Sequence, residues 1–180
     1  MNPVIESILS LEGGYVNNPA DKGGPTKWGI TESTARSHGY QGDMRDLSRE
    51  QAYAILEQDY WIAPGFSNIA QYSEKLAFEL CDAGTNVGPA WPSRWLQRWL
   101  NAFNNQATKY ADLTVDGKIG NQTLQALEGY LNWRGSEGEA VLLTGLNSSQ
   151  GAYYLDITEK RVSNETFIYG WIKNRVMPMP

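Results

Sequence analysis

The sequence is poor in side chains that bind transition metals or form covalent cross-links. Its 180 residues include one cysteine, Cys81, and one histidine, His38. A single cysteine excludes an internal disulfide, and one histidine leaves too few nitrogen and sulfur ligands for a zinc or iron site. We therefore expect no metal and no other cofactor. Cys81 is expected in the core, on an apolar helix face, and His38 on the surface.

Positive charge and long apolar runs are also scarce. The chain has 15 Lys and Arg against 20 Asp and Glu, which gives a net charge of −5. Because phosphate binding depends on clustered Lys and Arg, we do not expect nucleic acid as a ligand. The N-terminus shows neither a basic leader nor an unbroken apolar run, so we predict no signal peptide and no stable membrane insertion. A compact monomer made in the cytoplasm is the expectation at this length.

Apolar side chains recur at helical spacing along most of the chain. A first stripe ends at Leu11, and the stretch from Gly13 to Ile30, rich in Gly, Pro and Asn, predicts a small β-hairpin lobe. Ser48 and Gln51 have the spacing of a capping box, which predicts a helix from Ser48 to Trp61. The fold class is therefore mainly α, a helical bundle with a small β element after the first helix.

Further helices are predicted in the second half from caps and apolar stripes. They are a helix opened by Ser73, one with Trp95 and Trp99 in the core, one through Leu124 to Leu131, one over Glu137–Arg161 with Gly151 as a candidate break, and one over Thr166–Arg175. The polar stretch from Asn104 to Lys118 is predicted to be a surface loop.

Two carboxylates and a hydroxyl fall within one short, turn-rich excursion of the chain. Glu12 closes the first helical run ahead of two glycines, and Asp21 and Thr26 follow among residues that favour turns. Hydrolysis of a glycosidic bond needs one carboxylic acid to protonate the leaving oxygen and one carboxylate to activate water or stabilise the sugar cation. The alternative is structural, with Asp21 closing an Asx turn and Thr26 starting a strand.

Aromatic side chains are abundant, with seven Trp and ten Tyr. Flat C–H faces of pyranose rings stack on such side chains, so a carbohydrate groove is plausible. Trp28, in the loop after Thr26, is the best candidate for lining the groove, with Tyr15 and Tyr60 as weaker candidates. Asn86 can donate hydrogen bonds to a sugar acetamide.

Glycines, prolines and polar residues follow the first helix in a recognisable order: Glu12-Gly13-Gly14-Tyr15, Asn17, Pro19, Asp21, Gly23-Gly24-Pro25-Thr26 and Gly29-Ile30-Thr31. This order resembles the N-terminal signature of glycoside hydrolase family 108, N-acetylmuramidases found as bacteriophage endolysins and in bacterial genomes. The segment from Asp82 to Gly88 is similar to the family's Asp-x-x-x-Asn-x-Gly segment. The later segments resemble the associated peptidoglycan-binding segment: Asp116–Gly120, Tyr153-Tyr154, Gly170-Trp171 and Arg175-Val176.

The resemblance implies an α+β lysozyme-like fold over residues 1–180, with a catalytic segment over 1–90 and a helical peptidoglycan-binding-like segment over 91–180. It also implies hydrolysis of the β-1,4 bond between N-acetylmuramic acid and N-acetylglucosamine, with Glu12 as general acid. Glu12, Asp21 and Thr26 are similar as well to the Glu-Asp-Thr triad of phage lysozymes, where one more residue separates Asp and Thr. By that analogy, Asp21 and Thr26 hold the attacking water.

The expected partner is the glycan strand of bacterial peptidoglycan, in the periplasm. A bacteriolytic phage endolysin without a leader is expected to reach it through a holin-type pore. We expect the carboxyl groups of Glu12 and Asp21 to lie roughly 6.5–9.5 Å apart, as in inverting enzymes. Two alternatives stay open: a non-catalytic cell-wall-binding module, and a lytic transglycosylase, which needs one acid and no activated water.

Overall fold

The computed structural model describes residues 1–11, 14–17 and 24–177. The chain divides into two compact units, Met1–Ala63 and Pro64–Pro180. The sequence predicts one domain with a catalytic segment over residues 1–90 and a peptidoglycan-binding-like segment over residues 91–180. This division stays a prediction.

The first unit combines short helices with a small sheet. Its elements are α1 (Pro3–Leu11), β1 (Tyr15–Val16), β2 (Thr26–Lys27), β3 (Ile30–Thr31), α2 (Glu32–Ser37) and α3 (Arg49–Glu57), which continues into a π-helical turn (Gln58–Ile62). The three strands are antiparallel in the order β1-β2-β3. The predicted β lobe is thus confirmed, with a third strand added.

The turn from β2 to β3 explains that third strand. Lys27 pairs with Ile30, so only Trp28 and Gly29 connect the strands. Both have positive φ, 55° and 75°. Positive φ at both central residues is the type I′ geometry, whose twist matches that of paired strands. A Trp in this position gives no turn signal, which is why the third strand was not predicted.

Local capping fixes the start of α3. The Ser48 hydroxyl accepts a hydrogen bond from the Gln51 backbone N–H at 3.1 Å, and the Gln51 side chain accepts one from the Ser48 N–H at 3.0 Å. The capping box read from the sequence is confirmed. The helix then buries Ala52, Ile55 and Leu56.

The second unit is a helical bundle. Its helices are α4 (Phe66–Ile69), α5 (Glu74–Val87), α6 (Ala90–Phe103), α7 (Asn121–Lys160) and α8 (Glu165–Trp171), followed by a π-helical turn (Ile172–Val176). Ser73 caps α5 by accepting from the Leu76 N–H at 3.1 Å, as predicted. The core includes Leu80, Cys81, Leu96, Leu100, Leu127 and Leu142. None of the described helices, α7 included, combines the length and apolar character needed to cross a bilayer.

The long helix α7 changes direction at Gly135 and not at Gly151. Gly135 has φ 61° and ψ −150°, which are not helical angles. Gly151 stays helical, and a Cβ built on it would lie 3.5 Å from Val176 and 3.8 Å from Ile172. The break proposed at Gly151 was therefore wrong, because this glycine lets the C-terminal turn pack closely. The observed architecture is mainly α and lysozyme-like, with a small antiparallel sheet.

Candidate functional site

Two of the three candidate catalytic residues, Glu12 and Asp21, lie outside the described residues. The structure therefore leaves their positions as predictions and describes the chain that flanks them. Helix α1 ends at Leu11, immediately before Glu12 in the sequence. Thr26, the third candidate, lies in β2.

Helix α1 is held against α3 at two points. The Glu6 carboxylate accepts a hydrogen bond from the Arg49 guanidinium at 2.5 Å, in a pair whose side chains are 27% and 38% exposed. At the start of the helix, the Asn2 backbone N–H donates to the Tyr53 hydroxyl at 2.7 Å. Tyr53 in turn donates to Glu57 at 3.2 Å, and burial raises the pKa of Tyr53. The segment that leads to Glu12 is thus fixed along its length.

Thr26 and Tyr15 lie on neighbouring strands but not on one face. Val16 pairs with Thr26, and Tyr15 pairs with Lys27. Because successive side chains alternate along a strand, Tyr15 and Thr26 lie on opposite faces of the sheet. The Thr26 hydroxyl makes one long hydrogen bond, to the Gly24 carbonyl at 3.5 Å. Tyr15 is 40% exposed.

Trp28 and Tyr60 are both half-buried in the first unit. The Trp28 indole N–H donates to the Leu47 carbonyl at 3.0 Å, so its polar edge is already satisfied. Burial raises the pKa of Tyr60, which lies in the π-helical turn after α3. Their roles in a sugar groove stay predictions.

His38 is exposed, as expected, but it also has a partner. Its imidazole Nε2 lies 2.9 Å from a carboxylate oxygen of Asp59. The two residues are 21 positions apart, so no local pattern links them. A cavity of about 540 Å³ beside His38 is lined also by Tyr40, Gln51 and Ile55.

Asn86, the remaining candidate, lies on α5 in the second unit. It is exposed, and its amide donates to the Asp82 carbonyl at 3.2 Å. The Asp82 carboxylate pairs with Arg175 at 2.8 Å. Burial raises the pKa of Asp82, and Arg175 opposes that shift.

Glu79, one turn before Asp82, is a half-buried acid that the sequence analysis missed. Burial raises the pKa of Glu79 to about 7; the negative charge of Asp82 adds to the shift and Arg175 opposes it. Its Oε1 is buried without a hydrogen-bond partner among the described residues. No local signal in the sequence marks it, because adjacent positions on a helix do not share a face, and Glu79 only precedes Leu80 of the buried stripe.

The segment Asp116–Gly120 is tied to the body of the second unit by Gln97. The Gln97 amide donates to Asp116 Oδ1 at 2.9 Å, and its oxygen accepts from the Gly117 N–H at 2.8 Å. Asp116 also accepts from the Lys118 N–H at 2.9 Å, and the hydrogen bond from Gln97 is the main cause of its lowered pKa. A cavity of about 350 Å³ lies beside this loop. The polar groups of Asp116 and Gly117 are therefore used within the fold.

The described residues contain no group of three or more His, Cys, Asp or Glu side chains placed to hold a metal ion. Of the acidic groups that lie close together, Asp82 pairs with Arg175, and burial raises the pKa of Glu79. What the described part of the site offers is a fixed helix before Glu12, a hydroxyl on β2 and exposed aromatic rings.

Comparisons with known proteins cover almost the entire chain. Residues 5–88 match the family model described as glycosyl hydrolase 108, and residues 91–176 match the model described as a predicted peptidoglycan domain. Among solved structures, that of Brucella abortus SagA is similar in fold, with a TM-score of 0.64 and 24% identity. The match covers 97% of this chain and 87% of that chain. A comparison with curated proteins gave no match.

The two family matches define the class as a glycoside hydrolase that acts on peptidoglycan. Residues 5–88 thus match glycoside hydrolase family 108, and residues 91–176 match the peptidoglycan domain. The resemblance drawn from the sequence is confirmed.

Proposed function

We propose that this protein is an N-acetylmuramidase that hydrolyses the β-1,4 bond between N-acetylmuramic acid and N-acetylglucosamine, with Glu12 as general acid. The observation that carries the proposal is the match of residues 5–88 to family 108. This segment contains Glu12, Asp21 and Thr26 in the order of the family signature.

In the proposed reaction, the Glu12 carboxylic acid gives its proton to the glycosidic oxygen as the bond to the anomeric carbon breaks. The Asp21 carboxylate takes a proton from a water molecule, whose oxygen bonds to the same carbon from the opposite face of the sugar. The products are two shorter glycan chains. Proton transfer then restores the acid and the carboxylate. One water molecule is consumed for each bond that is hydrolysed, so the reaction needs no reactant other than the glycan and water.

The described residues support this assignment in two ways. The anchoring of α1 on α3 by Arg49 and Tyr53 fixes the direction in which the chain reaches Glu12. Preorganised groups act without reorganisation cost during the reaction. In addition, the Thr26 hydroxyl lies on β2, and its hydrogen bond to the Gly24 carbonyl is long, at 3.5 Å.

Substrate contacts are proposed for Tyr15, Trp28, Tyr60 and Asn86. The exposed ring of Tyr15 offers the most accessible stacking surface of the three aromatic residues. The biological setting is proposed to be that of a monomeric phage endolysin, released through a holin-type pore to the periplasmic peptidoglycan.

The test is Glu12→Gln in the full chain. The amide keeps the shape of the side chain but donates no acidic proton, so we expect cell-wall lysis to fall by about a hundredfold to ten-thousandfold. Binding to intact walls and the thermal midpoint should stay unchanged. Glu50→Gln, an exposed change on α3, is the matched control. Undiminished lysis by Glu12→Gln would remove Glu12 from the acid role.

A further inference from the structure

An exposed tryptophan in the second unit is held in a fixed orientation. Trp91 lies in the first turn of α6 and is 42% exposed. Its ring centroid is 5.0 Å from Tyr153 of α7 and 6.4 Å from the buried ring of Trp95. Two neighbouring rings therefore brace one side of the indole while much of its surface faces solvent. A braced, exposed aromatic ring is a suitable platform for stacking.

Two arginines share the helical face of Trp91. Arg94 and Arg98 follow it by three and seven residues, the spacing that places side chains on one face. Both are exposed, and neither has a carboxylate partner among the described residues. Four other arginines do pair with carboxylates: Arg36, Arg45, Arg49 and Arg175. Arg134 and Arg161 have no carboxylate partner among the described residues either, but only Arg94 and Arg98 share a helical face with an exposed indole. In a chain of net charge −5, these two guanidinium groups offer charged hydrogen-bond donors to an anionic ligand.

The loop after α6 supports the position of Arg94. A Cβ built on Gly117 would lie 3.2 Å from Arg94 Cγ and 3.1 Å from the Ala90 carbonyl oxygen. With φ 76° and no side chain, Gly117 allows the stem of Arg94 to lie along this loop. Gln97 already forms hydrogen bonds with the polar groups of Asp116 and Gly117. The side chains that remain open to a ligand here are therefore those of α6.

We propose that Trp91, Tyr153, Arg94 and Arg98 form a binding site for the peptide-bearing glycan of peptidoglycan. The indole of Trp91 stacks on the C–H face of a sugar ring. The guanidinium groups of Arg94 and Arg98 bind a carboxylate of the attached peptide. This site deepens the proposed function and depends on it for the identity of the polymer. All four residues lie within the segment 91–176 that matches the peptidoglycan domain.

The test measures co-sedimentation of the full chain, carrying Glu12→Gln, with purified peptidoglycan sacculi. Trp91→Ala should weaken binding about tenfold, the loss expected for a central aromatic contact. Trp91→Phe should recover most of the binding, because it restores a flat ring. Arg94→Gln with Arg98→Gln should weaken binding about two- to tenfold at low salt, with the difference disappearing near 1 M salt.

Matched controls separate this site from general surface effects. Tyr169→Ala removes an aromatic ring that is 78% exposed elsewhere in the second unit. Lys160→Gln with Lys173→Gln makes the same change in net charge. Both controls should bind as the parent does, and both should keep its thermal midpoint. Equal losses in the controls and the site variants would overturn the proposal.

Glycan strands stripped of their peptides distinguish the two parts of the site. Trp91→Ala should lose affinity for stripped and intact strands alike, whereas the double arginine variant should lose affinity only for intact strands. Unchanged sacculus binding by Trp91→Ala would overturn the proposal, as would a loss confined to anionic lipid vesicles. Cleavage of a short soluble glycan by the chain with native Glu12 tests the acid alone, and the control Tyr169→Ala should leave it unchanged. The binding measurements, made with Glu12→Gln, do not depend on the acid, so failure of the site and failure of the acid are distinguished.

Discussion

Thr26 offers one hydroxyl to the proposed water, whereas Asp21 offers a charge. A charged acceptor binds and polarises water more strongly than a neutral hydroxyl. We expect Asp21→Asn to lower kcat/KM on cell walls by about a hundredfold and Thr26→Ala by about tenfold. Ser33→Ala, an exposed hydroxyl deletion on α2, is the control. A larger loss for Thr26→Ala than for Asp21→Asn would reverse the roles assigned to them.

Glu79 makes the stability of the chain depend on pH. Burial raises the pKa of Glu79 to about 7 in the folded protein, above the ordinary value of 4.5 that applies in the unfolded chain. Between these values the folded state holds more protons, so the free energy of unfolding falls as the pH rises through this window. Glu79→Gln removes that loss. We expect it to raise the free energy of unfolding by about 1–3 kcal/mol at pH 8 and to have little effect near pH 4.5.

Chemical denaturation at the two pH values measures this effect directly. Glu128→Gln, an exposed change on α7, should show no such pH dependence. The same stabilisation of Glu79→Gln at both pH values would mean that ionisation of Glu79 is not the cause.

Single side chains were predictable where local composition decides their environment. Cys81 is fully buried on the apolar face of α5, as its neighbours indicated. The contact of His38 with Asp59 and the partial burial of Glu79 depend on elements that meet only after folding. No spacing rule within the sequence encodes such encounters.

Helix starts were predictable for the same reason. Ser48 and Ser73 cap their helices through hydrogen bonds that span three residues, and both caps are confirmed. The position of a helix break at glycine was not predictable from the sequence. Gly135 and Gly151 look alike in sequence, but only Gly151 meets neighbouring side chains, which hold it in the helix.

The anchoring of α1 on α3 can be tested through Arg49. Arg49→Gln leaves the half-buried Glu6 carboxylate without its cation, so we expect the free energy of unfolding to fall measurably. Because α1 leads directly to Glu12, kcat should fall more than wall binding does. Urea unfolding and steady-state lysis measure the two effects.

Arg45→Gln is the matched control for Arg49→Gln. Arg45 pairs with Asp43 only two positions away, and its side chain is 68% exposed. Its loss should lower the free energy of unfolding by less than the loss of Arg49 does, because solvent screens the exposed pair. Equal effects of the two variants would show that the contact between α1 and α3 has no special role.

The whole chain shows a mainly helical, lysozyme-like architecture that its periodicity and family signature predicted. The two family models meet between residues 88 and 91, where α5 ends and α6 begins. The clamp of Gln97 on Asp116–Gly120 and the cluster around Trp91 were not predicted. Both join residues about 20 or more positions apart, so they follow from packing and not from a local motif.

The mass of the fragments released from peptidoglycan tests the central claim most directly. A muramidase adds water across the bond, so the native chain should release muropeptides with hydrated reducing ends. Glu12→Gln, folded and still bound to the wall, should release almost none. Anhydro ends from the native chain would show a lytic transglycosylase, and no released fragments at all would show a wall-binding protein without catalysis. Either result would contradict the proposed hydrolysis.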